Sequence, residues 1–131
     1  MPNAFPNVSS SSFVLSETDL ARGYEASRTS PRRRIILPLH RTQDARVQRM
    51  LNFLQPGTYI QPHHHAQDGD IETIAVINGN LGFIFFDSQG KIERCIKLSA
   101  PVGVIDFEPG LWHSMVALAR IIHTLCLARH L

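Results

Sequence analysis

From Gln48 onward the chain alternates short apolar runs with turn residues, the pattern of strand, turn, strand. In I-E-T-I-A-V-I a period of two places Glu72, Ile74 and Val76 on one face. In L-W-H-S-M-V-A-L it places Leu111, His113, Met115 and Ala117 together. The runs L-G-F-I-F-F, I-E-R-C-I-K-L, V-G-V-I-D-F and I-I-H-T-L-C-L supply further strands, and Asn78-Gly79-Asn80 and Asp87-Ser88-Gln89-Gly90 read as hairpin turns. Many short antiparallel strands with little helix predict an all-β sandwich or barrel.

Upstream the pattern changes. Ser16-Glu17-Thr18-Asp19 is a helix start, with Ser16 as cap and acids in the first turn, so a short helix over residues 17–27 is expected. Pro31 and Pro38 then favour an extended, irregular segment. The serine run at 9–12 suggests a loose tail. The expected organisation is a tail over 1–14 and one domain over 15–131, with a barrel core over 47–129. Several late strands are apolar on both faces, yet a barrel has one interior. The second face therefore needs cover from the N-terminal segment or another subunit, and a homodimer through the sheet is the expectation.

Composition narrows the classes. A chain of 131 residues that is 44% hydrophobic suits one soluble domain with a real core. No apolar run reaches bilayer-spanning length, and the start M-P-N-A-F-P-N-V lacks the regions of a signal peptide, so a cytoplasmic location without membrane contact is expected. A net charge of +2 is too small to argue for nucleic acid. Cys95 and Cys126 lie in strand-like runs without metal or redox spacing and read as buried, reduced thiols.

The candidate chemistry lies in H-H-H at 63–65, Glu72 and His113. In an extended chain His63 and His65 project to one side and His64 to the other, towards the surface. Glu72 leads an apolar stripe, where an unpaired carboxylate is costly and a cation offsets it. Three imidazoles and one carboxylate can converge at one end of a closed sheet. Such a set suits one divalent ion of iron, manganese, zinc or nickel, and it lacks the thiolates typical of a closed structural zinc site. A histidine triplet can instead be a solvated loop or an expression tag, but a tag is terminal and longer. His113 alone would be an ordinary core histidine; with His63, His65 and Glu72 it reads as a ligand. His123, in A-R-I-I-H-T-L-C-L-A, reads as a hydrogen-bonded core residue, with support of a metal ligand as the alternative.

These residues resemble a known family pattern. Gly57, five residues, His63-x-His65, then Glu72, six residues and Gly79 resembles the first motif of the cupins, and Gly103 with Glu108-Pro109-Gly110-Leu111-Trp112-His113 resembles the second. The sequence departs from that pattern in a longer stretch between His65 and Glu72, a proline directly beside Gly110, and Ala117 where asparagine is frequent. Asp70 sits at the commoner spacing from His65; Glu72 has the usual distance to Gly79 and leads the strand stripe. Within the cupins the chain is similar to small metalloproteins of the WbuC type over roughly residues 15–120. That similarity rests on Ser30-Pro31-Arg32, Leu39-His40, Val47-Gln48-Arg49-Met50-Leu51-Asn52, Pro56-Gly57-Thr58-Tyr59 and Trp112-His113, with Pro38 where that family often has asparagine. The resemblance implies a double-stranded β-helix, or jelly-roll barrel. It also points to sugar chemistry, since WbuC-type proteins often accompany genes of bacterial surface-polysaccharide biosynthesis.

Arg32-Arg33-Arg34 is either a solvated run or a source of one or two arginines, Arg32 and Arg34, that fold over the barrel mouth to bind a carboxylate or phosphate. Arg49 is a further substrate-binding candidate. Tyr59 and His40, with Asp70, are the available general acids or bases, and no carboxylate pair or nucleophile triad accompanies them. The expected function is a small metal-dependent enzyme, an oxygenase or isomerase, acting on an anionic small molecule such as a sugar derivative, with the metal as Lewis acid or oxygen-binding centre. A non-catalytic binding module and a structural partner in an enzyme assembly are the alternatives.

Overall fold

The computed structural model describes residues 3–65 and 69–129. Helix α1 (Glu17–Thr29) precedes strands β1 (Arg34–Pro38), β2 (Val47–Leu54), β3 (Asp70–Asn78), β4 (Asn80–Phe86), β5 (Ile92–Ser99), β6 (Val104–Phe107), β7 (Trp112–Ala117) and β8 (Ile121–Arg129). They form two antiparallel sheets, a larger one ordered β1-β2-β8-β3-β6 and a smaller one ordered β5-β4-β7. The fold is a jelly roll, the member of the sandwich-or-barrel class that the cupin resemblance implies.

The period of two sets the interior. On β3, Glu72, Ile74 and Val76 are buried in alternation. Ile74 and Val76 join Leu54, Leu81, Phe83, Leu98, Phe107, Met115 and Ile121 in the core between the sheets. A second cluster lies on the outer face of the larger sheet, where Ile35, Leu51, Phe53 and Ile122 pack under Phe13, Leu15, Leu20 and Tyr24. The chain's own N-terminal segment thus covers the outer side of the larger sheet around Phe53 and Ile122.

Helix α1 starts at Ser16 in a capping box: the Asp19 N–H donates to Ser16 Oγ at 3.1 Å, and the Ser16 N–H donates to the Asp19 carboxylate at 3.0 Å. Gly23, mid-helix, meets the Phe53 ring so closely that a Cβ there would collide with it. Close packing on the sheet explains a residue that helix propensity disfavours.

Four expectations change. The extended segment after Pro31 contains an edge strand, β1, paired with β2 from Arg34↔Leu54 to Pro38↔Met50. Pro38 ends it, where a missing N–H is tolerated. Residues 1–14 do not form a loose tail in their described part, because the Phe5 N–H donates to the Ile36 carbonyl at 2.8 Å and the Val8 N–H to that of Pro38 at 3.0 Å. Asn78-Gly79-Asn80 is not a hairpin turn: β3 pairs with β6 and β8, whereas β4 pairs with β5 and β7, so the chain changes sheet there. Gly79 has φ +90° and lies against the Arg120 carbonyl oxygen, which leaves no room for a side chain. The Asp87–Lys91 turn does join a hairpin, with Asp87 Oδ1 accepting from the Gln89 and Lys91 N–H groups, each at 2.9 Å. Both cysteines are free, but Cys95 is exposed rather than buried, since it faces outward on β5.

Candidate metal centre

After β2 the chain turns at Gly57 (φ +92°) and returns beside β7. His63 and His113 exchange backbone hydrogen bonds of 3.0 and 2.9 Å, the Gly110 N–H donates to the His65 carbonyl at 2.7 Å, and Ser114 Oγ donates to that of Ile60 at 2.6 Å. This segment extends the smaller sheet and fixes two histidines against a third. Arg34 braces it from β1, donating from Nη1 to Thr58 Oγ1 at 3.0 Å and to the Tyr59 carbonyl at 2.8 Å.

His63, His65 and His113 each offer a ring nitrogen, all within 4.8 Å of one another. Glu72, reaching in from β3 in the opposite sheet, places Oε2 at 3.0 Å from His65 Nε2 and 3.3 Å from His113 Nε2. The Nδ1 atoms of His63 and His113 lie 2.8 Å from the Gln61 and Leu111 carbonyls, which can only accept. Nδ1 therefore donates in both rings, and in the neutral tautomer this leaves Nε2 as the atom that can hold a metal. Burial holds His63 below its usual pKa, against smaller raising effects of the Gln61 carbonyl and Glu72.

His113 Nε2 supplies the test of fit. It is fully buried and has no hydrogen-bond partner, yet it faces a carboxylate oxygen at 3.3 Å. An imidazole nitrogen and a carboxylate oxygen this close need a positive centre between or beside them, and a metal ion held by the histidine cluster is one that fits. A divalent ion satisfies both. Phe83, stacked on the His113 ring at 5.6 Å, and Phe107, edge-on at 4.7 Å, keep this side of the centre dry.

His64 is exposed and rests on Trp112, with ring centroids 4.2 Å apart. Glu72, rather than Asp70 at the start of β3, is the carboxylate against His65 and His113. Part of the longer stretch between His65 and Glu72 lies outside the described residues. Arg34 lines an open concavity of about 570 Å³ together with Gln61, His63, His64 and Trp112. Arg32 and Arg49 are exposed, Arg49 standing on the side of β2 opposite the barrel-facing Met50 and Asn52. His40 is buried, its Nδ1 lying 3.0 Å from the Arg49 carbonyl and 3.2 Å from the Arg49 N. Tyr59 is 73% exposed. None of these four side chains makes a hydrogen bond or ion pair with the histidine cluster among the described residues.

His123 is buried as expected but not satisfied. Nδ1 lies 3.1 Å from the Thr124 carbonyl, and Nε2 has no partner. Its register partner on β2, Asn52, has an equally orphaned Nδ2. The sequence carries this pair only as two polar residues in apolar runs; the β2–β8 register makes them neighbours.

A family model described as a domain of unknown function, DUF6016, matches residues 15–98. This chain belongs to the DUF6016 family. No curated protein matches it. Among solved structures, this DUF6016 chain is similar to the conserved SPY1581 protein of unknown function from Streptococcus pyogenes, at 14% identity over 78% of this chain and 79% of that one, with a TM-score of 0.61. It is similar to the cupin superfamily protein DSY2733 from Desulfitobacterium hafniense, at 19% identity over 72% and 78%, with a TM-score of 0.57. A third likeness is to Lactobacillus farciminis oxalate decarboxylase in its formate complex, at 21% identity over 72% of this chain, with a TM-score of 0.56. The chain spans 28% of that enzyme's length. These likenesses establish a cupin fold for the DUF6016 chain. Its described residues contain no helix long and apolar enough to cross a membrane.

Proposed function

We propose that the protein is a metal-binding cupin acting as a small metal-dependent enzyme on a polar, anionic small molecule. The observation that carries this reading is the convergence of His63, His65, His113 and Glu72 around the buried, orphaned His113 Nε2. A divalent iron, manganese, zinc or nickel ion held there supplies Lewis acidity towards a ligand oxygen, or redox chemistry if it is iron or manganese. The protein's own groups hold the His63 and His113 imidazoles through their Nδ1–H groups, brace the His63 segment through Arg34 and shield the centre with Phe83 and Phe107. The WbuC-like stretches extend the proposal to a sugar derivative in surface-polysaccharide metabolism.

A second reading, a non-catalytic module for a metal-chelating ligand, is favoured by the placement of the general acid and base candidates. Tyr59 faces solvent and His40 is tied to the β2 backbone. Exposed Val116 and Leu118 on the uncovered smaller sheet support a homodimer through that face.

The test is metal content of untagged protein by mass spectrometry, wild type beside His63→Ala and His113→Ala. Stoichiometric metal in the wild type, lost in both variants, supports the centre. A wild type that stays metal-free under iron-, manganese- and zinc-replete conditions would sink it. Turnover of anionic sugar substrates by the loaded protein then separates enzyme from binder.

A further inference from the structure

A row of register partners crosses the smaller sheet away from the histidine cluster. Across it, His63 is bridged to His113, His113 pairs with Phe85, and Phe85 pairs with Arg94. Register partners share a face, and Phe85 faces the barrel, packing on Phe83 at 5.2 Å and Phe107 at 5.5 Å. Arg94 is therefore an arginine on the barrel-facing side of β5, two strands from a metal-ligand candidate, or about 10 Å between backbones. A β-bulge between Phe85 and Phe86 makes Glu93 the extra residue and sets this register. Bulges of this kind re-aim side chains.

The space in front of Arg94 is a cleft of about 530 Å³ between the edge strands β5 and β6. Phe85, Phe107, Leu98 and Leu111 form its apolar wall, and Phe107 also packs against the His113 ring. Two acids border the cleft. Asp106 is engaged, accepting from Thr73 Oγ1 at 2.6 Å, and Glu93 sits in the bulge. The exposed Arg94 guanidinium has no hydrogen-bond or ion-pair partner among the described residues. An unpaired guanidinium at the rim of an aromatic cleft suits a planar anion with an apolar body.

We propose that the β5–β6 cleft binds a small carboxylate with an aromatic or short aliphatic body, the carboxylate on Arg94 and the body against Phe85 and Phe107. This names the ligand class of the centre proposed above and rests on that reading only for the link to the metal. The binding itself requires no ion.

Benzoate is the probe, with benzamide as its neutral counterpart, titrated by calorimetry into wild type, Arg94→Gln and Arg94→Lys, each metal-free and metal-supplemented. Amide shift mapping locates the bound probe. The expected result is benzoate binding mapped to β5 and β6, weakened about tenfold or more by Arg94→Gln, with benzamide insensitive to the substitution. Arg94→Lys, which keeps charge but loses the bidentate fork, should fall between. Equal benzoate affinity in wild type and Arg94→Gln, absence of binding to wild type, or mapping to the Arg34–Trp112 concavity would each overturn the proposal. Arg94-dependent binding in a protein that takes up no metal would uphold the cleft and reject the metal centre; metal uptake with Arg94-independent binding would do the reverse.

Discussion

His113 and His123 both face the barrel interior, are 0% and 1% exposed, and have an Nε2 atom without a hydrogen bond. Their neighbours separate them. Around His113 stand two more imidazoles and a carboxylate, so its lone pair is one of several converging donors. His123 faces Asn52 and Val76 across its two ladders, and burial pushes its pKa down to about 4, opposed by smaller effects of the Thr124 carbonyl and Glu72. What the opposite strand presents, and not burial alone, thus separates a histidine set among other metal-capable side chains from a core histidine.

The largest effect expected from breaking this contrast is at Glu72. Glu72→Gln keeps the shape and removes the charge, and should weaken metal binding by about 100-fold or more, beyond the usual cost of changing a ligand's outer neighbour. His123→Leu should leave metal affinity within a few-fold. Competition with a chromophoric chelator measures both, and equal losses would erase the distinction between the two sites.

The next effect is pH dependence. His123 has a folded pKa of about 4, below the unfolded value of about 6.5, so the unfolded chain binds more protons between those limits. Stability contributed by the neutral ring is present above pH 6.5 and is lost as pH falls through that window, amounting to about 3 kcal/mol near pH 4. Urea unfolding at pH 7 and pH 5 should show the wild type losing more stability than His123→Leu on acidification. An identical pH slope would place the acid sensitivity elsewhere.

The smallest effect concerns Asn52. Its orphaned Nδ2 means that Asn52→Leu removes a desolvated donor without breaking a hydrogen bond of that nitrogen, so stability should hold or rise by about 1 kcal/mol. Thermal unfolding checks this, and a marked loss would mean that Asn52 is engaged in the folded protein.

Much of the centre was legible in advance. A period of two put His63 and His65 on one side and Glu72 at the head of an apolar stripe, because strand geometry is local. The general acid and base candidates were less legible. Tyr59 and His40 stand out by proximity in sequence or by resemblance, and neither property reports side-chain direction at a chain turn. Nothing inside I-E-R-C-I-K-L marks Arg94, since the face it occupies depends on a bulge and on the strand opposite.

Strand periodicity, the helix capped at Ser16 and the side chains available to hold a metal can be read from the amino-acid order, because each depends on residues close along the chain. Which sheet each strand joins, the packing of the N-terminal segment on the larger sheet and the reach of Glu72 to His113 from the opposite layer arise only in the folded chain. Those outcomes follow from non-local pairing and packing, where a strand's partner is set by which edges and apolar faces remain available when the whole chain has folded.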